Sequence, residues 1–240
     1  MQAEYELHYH DVESRHWWFR SRRAFILQLL RKVPRTAKVL DIGCSSGIMM
    51  LDLARCGFDK ANLFGIDISS QAIANAQSNG LKQTYVMDAQ SVKMDQKFDI
   101  IIASDCLEHL ADDHQALANW RELLAPGGTL YVFVPAFQSL WSHHDEVNMH
   151  FRRYTRKELV AKARGAGLSI STSGFWNVLL FIPVWLYRRV SRLRENPKGD
   201  IGQPAKWVNN ALTSLLKIEH PLLRIFRFPF GVSTYIIANR

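Results

Sequence analysis

Acids recur in this chain wherever a run of strand-forming residues stops. "KVLD" ends at Asp41, "LFGID" at Asp67, "TYVMD" at Asp88, and "FDIIIASD" at Ser104 and Asp105. The first of these leads into a glycine loop, "GCSSG", with Gly43 and Gly47 on either side of Ser45. Such loops bring backbone N–H groups and a helix start close to a ligand. A phosphate-binding P-loop needs GxxxxGK[ST], and no lysine follows Gly47. A dinucleotide fingerprint needs GxGxxG, whereas this loop reads GxxxG. Asp41 would repel a pyrophosphate and attract an ammonium group. The loop therefore points to a cationic cofactor. If position 45 requires positive φ, its serine is strained.

A second group of reactive side chains follows the fourth and fifth apolar runs. His109 lies in "CLEHL", and "LWSHHDEVNMHFRRYT" (140–155) gathers His143, His144, Asp145, His150, Arg152, Arg153 and Tyr154. His109 and His150 are the candidate bases. The two arginines beside a tyrosine suit a phosphate or carboxylate, which makes His143, His144, Asp145, Arg152, Arg153 and Tyr154 the candidate substrate contacts. A metal held by His143, Asp145 and His150 would lack any helical spacing such as HExxH, and no metal is expected. The competing reading is a solvated loop with locally bonded histidines.

The elements that must position these groups alternate. Residues 22–33 have helical periodicity with arginines on the opposite face, and Pro34 stops them. Short apolar strands then alternate with helices over 46–57, 69–80 and 112–125, and "TLYVFVPA" forms a fifth strand. Strands buried on both faces and alternating with helices imply an α/β fold with a doubly wound, mostly parallel sheet. In such sheets the ligand lies at the carboxyl ends of the strands, where the acids stand.

Composition narrows the partners. The 240 residues contain 48% hydrophobic side chains, enough for a sizeable core. Three cysteines without CxxC or zinc-ligand spacing fit the cytoplasm. The N-terminal stretch is not read as a secretory signal, and the 14-residue apolar run 174–187 is short of the ~20 needed to span a bilayer. Residues 1–150 carry 14 Lys+Arg against 18 Asp+Glu, while residues 151–240 carry 16 against 4. An anionic substrate, a membrane surface or nucleic acid is expected at that basic end.

Taken in order, "VLDIGCSSG", "GID", "MDA", "FDIIIASDCLEHL" and "LLAPGGTLYVFVPA" resemble the five motifs of class I S-adenosylmethionine-dependent methyltransferases, in register over about residues 37–135. The first motif is commonly D-x-G-x-G-x-G, and Ser45 replaces its middle glycine. The resemblance implies a Rossmann-like sheet of seven strands with the last antiparallel, and "GVSTYIIANR" fits that last strand. It also implies S-adenosylmethionine as cofactor, contacted by Asp41, Gly43, Cys44, Ser45, Gly47, Asp67, Ile68, Asp88, Ala89 and Ser104. Asp67 would hold the ribose hydroxyls, and Asp88 and Ala89 would lie beside the adenine.

"SRHWWFRSRR" (14–23) reads either as a staple for the first helix or as a cofactor lid, with Trp17 or Trp18 excluding water and Arg22 meeting the cofactor carboxylate. Together, HWWF and "HFRRYT" resemble a subgroup associated with cell-surface polysaccharide and lipid biosynthesis. The expected organisation is a lid over 1–35, a methyltransferase core over 36–175, a basic and apolar helical elaboration over 176–220, and a returning strand over 221–240. The expected reaction is methyl transfer to a small anionic or lipid- or sugar-linked acceptor. RNA methylation, or a scaffold without catalysis at a membrane, are the alternatives. Nucleic acid is not the expected partner, because no adenine-amine, cytosine-carbon, RRM, KH or zinc-knuckle motif occurs. The apolar run and "RRVSRLR" after it have the composition of an interfacial helix, which implies either peripheral contact with the anionic inner face of the membrane or an extra core helix packed on the sheet through Trp176, Leu179, Leu180 and Trp185.

Overall fold

The computed structural model describes residues 12–191 and 204–240. Its centre is one seven-stranded sheet: β1 (Val39–Ile42), β2 (Leu63–Asp67), β3 (Thr84–Val86), β4 (Phe98–Ser104), β5 (Leu124–Pro135), β6 (Ser169–Trp176) and β7 (Ser233–Asn239). The spatial order is β3-β2-β1-β4-β5-β7-β6. The first five strands pair in parallel, and β7 runs antiparallel to both β5 and β6. β1 is buried along its whole length, and β4 is buried at all but its second and last residues. This is why both read as near-continuous apolar runs.

Eight α-helices have described boundaries: α1 (Trp17–Leu29), α2 (Ile48–Arg55), α3 (Ser70–Ser78), α4 (Asp113–Leu123), α5 (His143–Val147), α6 (Arg156–Gly165), α7 (Phe181–Ser191) and α8 (Lys206–Ile225). They cover the two faces of the sheet. One core joins Leu40, Ile101 and Val132 to Leu117 and Trp120 of α4 and Leu159 of α6. The other joins Val39, Ile102 and Phe133 to Phe25 and Ile26 of α1, Met50 of α2 and Ile73 of α3. The strand order reverses between β1 and β4, which places the crevice for a ligand at their carboxyl ends.

Three expectations need correction. The first helix starts at Trp17 and gives way to a 3-10 turn over Leu30–Lys32. Its Arg22 is not on the solvent face but buried at 2% exposure. Its guanidinium stacks over the rings of Trp176, Phe133 and Trp18, which lets a cation sit in an apolar surround. Nor is the apolar run 174–187 one element. Gly174–Trp176 close β6, Asn177 turns the chain at φ 59°, and helix resumes at Phe181. Trp176 is fully buried, whereas Ile182, Leu186 and Tyr187 are exposed. The basic stretch after it is described only in part, since Arg192 and Arg194 lie outside the described residues. No helix among the described residues is long and apolar enough to cross a membrane.

Candidate active site

The glycine loop is held from three sides. The N–H groups of Gly43 and Cys44 both donate to the carbonyl of Ile66, each at 2.9 Å. Ser45 N–H donates to Asp67 Oδ2 at 2.8 Å, and Asp67 Oδ1 accepts from the N–H of Ser69 at 2.9 Å. Backbone conformation explains the two glycines. Gly43 (φ 73°) would set a Cβ 3.2 Å from Cys106, and Gly47 (φ 78°), which caps α2, would drive one to 2.3 Å from the Leu81 side chain. Ser45 between them also takes positive φ, 48°, as its position in the motif implied. Aspartate 67 fixes that conformation through the Ser45 N–H.

Carboxylates gather around the loop. Asp41 is buried, and burial, then the charges of Glu13 and Asp67, push its carboxyl up to about 8. Glu13 Oε2 accepts from the hydroxyls of Ser45 (2.9 Å) and Ser46 (3.1 Å). Nothing in the sequence singled out Glu13, because it stands in an acidic stretch with no periodicity. Three carboxyls around one glycine loop suit a ligand with a positive charge and reject a pyrophosphate.

The other candidate cofactor contacts line the neighbouring strand ends. Ile68 is 73% exposed just past Asp67, an apolar surface open to a planar ring. Asp88 is exposed and accepts the N–H of Gln90 at 2.8 Å, while the carbonyl of Ala89 accepts from Trp120 Nε1 at 2.8 Å. Ser104 Oγ donates to Asp105 Oδ2 at 3.3 Å, and Asp105 turns the chain at φ 53°. Trp18 lies edge-on to Trp176, with centroids 5.0 Å apart, and Trp17 N–H donates to Asn209 Oδ1 of α8 at 2.7 Å. Arg22 donates to Ser233 Oγ at 2.7 Å and lies 3.5 Å from Asp105 Oδ2. The aromatic entry to α1 thus ties that helix to β6 and α8, and Arg22 reaches the end of β4.

The second group folds back onto the same strand ends. Phe137 N–H donates to the carbonyl of Tyr154, Tyr154 N–H to that of Pro135, and Phe151 N–H to that of Glu108. Within it, Ser142 and Asp145 form a capping box for α5, so the stretch is not all loop. Asp145 is the hub. It accepts from Ser142 N–H (2.8 Å), from both arms of the Arg153 fork (2.8 and 2.9 Å) and from His150 Nδ1 (2.8 Å), with Arg188 3.7 Å away. Burial alone would raise its carboxyl; the bonds from His150 and Arg153 outweigh that and hold it well below the usual carboxylate range. Tyr154 is buried, with its hydroxyl donating to Asp113 Oδ2 at 2.9 Å; burial, then the Asp113 charge, pushes the phenol up. Arg152 also reaches Asp113, at 3.0 Å, as does Lys162 at 2.8 Å.

Of the candidate substrate contacts, then, Asp145, Arg153 and Tyr154 are buried and bonded to protein groups. His143 is exposed beside Glu146, and Arg152 is half-buried. Burial, then the Arg188 charge, lowers His144 to about 3. His109 and His150 do come together, with ring centroids 4.5 Å apart and planes at 85°. Burial, then the His150 charge, lowers His109 to about 3, so its imidazole is neutral at pH 7. Glu108 beside it is fully buried, and burial, then the Asp105 charge, pushes its carboxyl well above the usual range. Glu108 follows from no spacing rule; its neighbours come from a loop about forty residues away.

A parallel sheet reversing between β1 and β4, closed by an antiparallel β7 and carrying an acid-lined glycine loop at the reversal, defines a Rossmann-like methyltransferase fold. The chain belongs to the class I S-adenosylmethionine-dependent methyltransferases, with residues 14–173 matching a family model described as a methyltransferase domain. A sulfonium and ammonium cofactor is the charge complement of Asp41, Asp67 and Glu13. The ubiquinone biosynthesis O-methyltransferase of Pasteurella multocida (strain Pm70) is 31% identical over 110 residues, covering 39% of this chain and 44% of that one. This chain spans less than half the length of the curated relatives it matches. A chain from the complex of the Haloferax volcanii Trm112 methyltransferase activator with a methyltransferase superposes with a TM-score of 0.63 at 19% identity, over 98% of this chain and 94% of that one. Magnesium protoporphyrin IX methyltransferase from Synechocystis PCC 6803 with bound SAH gives 0.56 at 14% identity, over 92% and 83%. At these identities the two structures speak for the fold alone.

Proposed function

We propose that this methyltransferase acts on a small anionic acceptor carried on a lipid or sugar, and that it meets that acceptor at an anionic membrane surface. The observation that carries this reading is the exposed surface of α7 and of α8. Ile182, Leu186 and Tyr187 are exposed on α7 and Trp207, Ile218 and Ile225 on α8, and so are Arg189, Lys206, Lys217, Arg224 and, just past α8, Arg227. Large apolar side chains among cations match the headgroup layer of an anionic bilayer, where each basic residue contributes about 1 kcal/mol. The subgroup resemblance of HWWF and HFRRYT supports the same acceptor class.

S-adenosylmethionine supplies an electrophilic methyl group, so the chain has to align the acceptor and keep water away. In this reading Asp41 and Glu13 hold the cationic part of the cofactor, Asp67 holds its ribose hydroxyls, and Trp17 and Trp18 shield it. The acceptor lies at the end of β4, where neutral His109 accepts a hydrogen bond from its hydroxyl or amine. His150, fixed by Asp145, completes that wall, and Arg152 and His143 are the outward groups left to meet an anion.

Transfer of labelled methyl groups to total lipid, polysaccharide and RNA extracts, with and without anionic vesicles, tests the reading. Label in an amphiphilic lipid or glycan fraction, together with co-sedimentation that weakens with salt, is the expected result. Label in RNA alone would replace it with the nucleic-acid reading. No label anywhere, from protein that binds S-adenosylhomocysteine, would favour a scaffold.

A further inference from the structure

We propose that Glu108, His109 and His150 form a binding site for a divalent transition-metal ion at the end of β4. One ligand atom from each residue lies within 4.8 Å of the other two. Ligands about 2.0–2.2 Å from a shared ion stand roughly 3.5 Å apart in tetrahedral geometry, so modest side-chain movement closes the set. Glu108 supplies the strongest independent sign. It is fully buried, and beyond its own backbone N–H neither of its carboxylate oxygens has a hydrogen-bond partner among the described residues. Buried carboxylates in proteins are paired, hydrogen-bonded or bound to metal.

His150 is prepared for the same task. His150 Nδ1 lies 2.8 Å from Asp145 Oδ1, which leaves Nε2 as its ligating atom. A carboxylate behind a ligating imidazole is the usual support of a metal site, fixing the ring and its tautomer. Asp145 is itself held by Arg153 and Ser142. The bond from Phe151 N–H to the Glu108 carbonyl, 2.8 Å, fastens together the two segments that carry the ligands. The sequence reading expects no metal, and only His150 is shared with the trio it sets aside, because Asp145 is engaged by Arg153 and His143 is exposed.

Two imidazoles and one carboxylate favour a transition metal over Mg²⁺ or Ca²⁺, which prefer oxygen ligands alone. Three protein ligands leave positions open for an acceptor oxygen. Cys106, two residues before Glu108, abuts Gly43 of the cofactor loop, so the ion would sit beside the cofactor pocket. Its role towards an acceptor rests on the methyl-transfer reading. With the ion bound, its contact to the acceptor oxygen replaces the hydrogen bond to His109: a metal-bound hydroxyl gives its proton to solvent, and its oxygen pair forms the new C–O bond. The methyl C–S bond breaks with its electrons going to sulfur.

Chelator-treated, desalted full-length protein titrated with Co²⁺ and followed by visible absorption tests the site without any acceptor. One equivalent with a d–d band is expected, with competition by Zn²⁺. Glu108→Gln, which keeps the side-chain volume, and His150→Ala should each weaken Co²⁺ binding by roughly tenfold or more. His143→Ala should leave it unchanged. S-adenosylhomocysteine binding on the same samples reports folding and the cofactor site separately. A wild type with no Co²⁺ band, or folded variants that bind Co²⁺ as tightly as wild type, would overturn the proposal. The first result needs no variant, and Glu108 would then be a proton-bearing partner of His109.

Discussion

Aspartate 67 carries two loads, and its removal separates them. Its oxygens accept the N–H groups of Ser45 and Ser69 at 2.8 and 2.9 Å, and each oxygen keeps a lone pair for a cofactor hydroxyl. Hydrogen bonds to a charged acceptor contribute about 1.5–3 kcal/mol each, at the low end where the pair is half-buried. Asp67→Ala should therefore cost about 2–4 kcal/mol of folding stability by releasing Ser45 from its φ of 48°. It should also weaken S-adenosylhomocysteine by ~1–3 kcal/mol, or about 5- to 150-fold. Asp67→Asn can accept one backbone N–H through its amide oxygen but turns an NH₂ towards the other. About half the stability loss should remain, with most of the affinity loss. Urea denaturation and calorimetry measure the two quantities on the same protein. A folded Asp67→Ala variant with unchanged affinity would refute the reasoning and leave Asp67 as a loop anchor only.

Asp41 links the cofactor to pH. Its folded value of about 8 lies above the unfolded 3.8, so the folded state binds the extra proton and stability falls as pH rises between them. A cationic ligand draws that proton off, so binding at pH 7 should release up to one proton and tighten towards pH 8. Titrations in buffers of different ionisation enthalpy count it, and no release would remove Asp41 from the site. Ser45→Gly should change affinity by less than about 1 kcal/mol, because the left-handed backbone is already present without ligand and its cost falls on folding; calorimetry on the variant checks this. Arg153→Ala strips buried Asp145 of its bidentate partner and should cost about 3–5 kcal/mol, whereas Arg152→Ala should cost under about 1.5. Equal thermal shifts in the two would contradict the hub drawn around Asp145.

What could be read from sequence follows the physics of each element. β1 and β4 declared themselves because both faces are buried, and Gly43 and Gly47 because a left-handed backbone and close neighbours favour glycine there. β6 did not. As the edge strand it is largely polar, "SISTSGFW", and only its last two residues are buried. Its end was absorbed into the apolar run that follows. Arg22 defeated the periodic reading because an arginine within a helix is taken as solvent-facing, and only tertiary contacts, the aromatic surround from β5 and β6 with Ser233 and Asp105, make its burial tolerable. The histidine-rich segment was legible as a group, but not in its division of labour. Which arginine is consumed by Asp145, and which histidine meets Glu108, depends on how that segment folds back onto β4. Glu13 and Glu108 are acids whose roles arise entirely from tertiary contact.

The loop from Asp41 to Gly47 holds a sulfonium cofactor and not a dinucleotide. Calorimetric titration of the full-length protein with S-adenosylhomocysteine, and separately with NAD, tests it most directly. Saturable one-to-one binding of S-adenosylhomocysteine, competed by S-adenosylmethionine and absent for NAD, is the predicted result. Binding of NAD with no heat from S-adenosylhomocysteine would contradict the account.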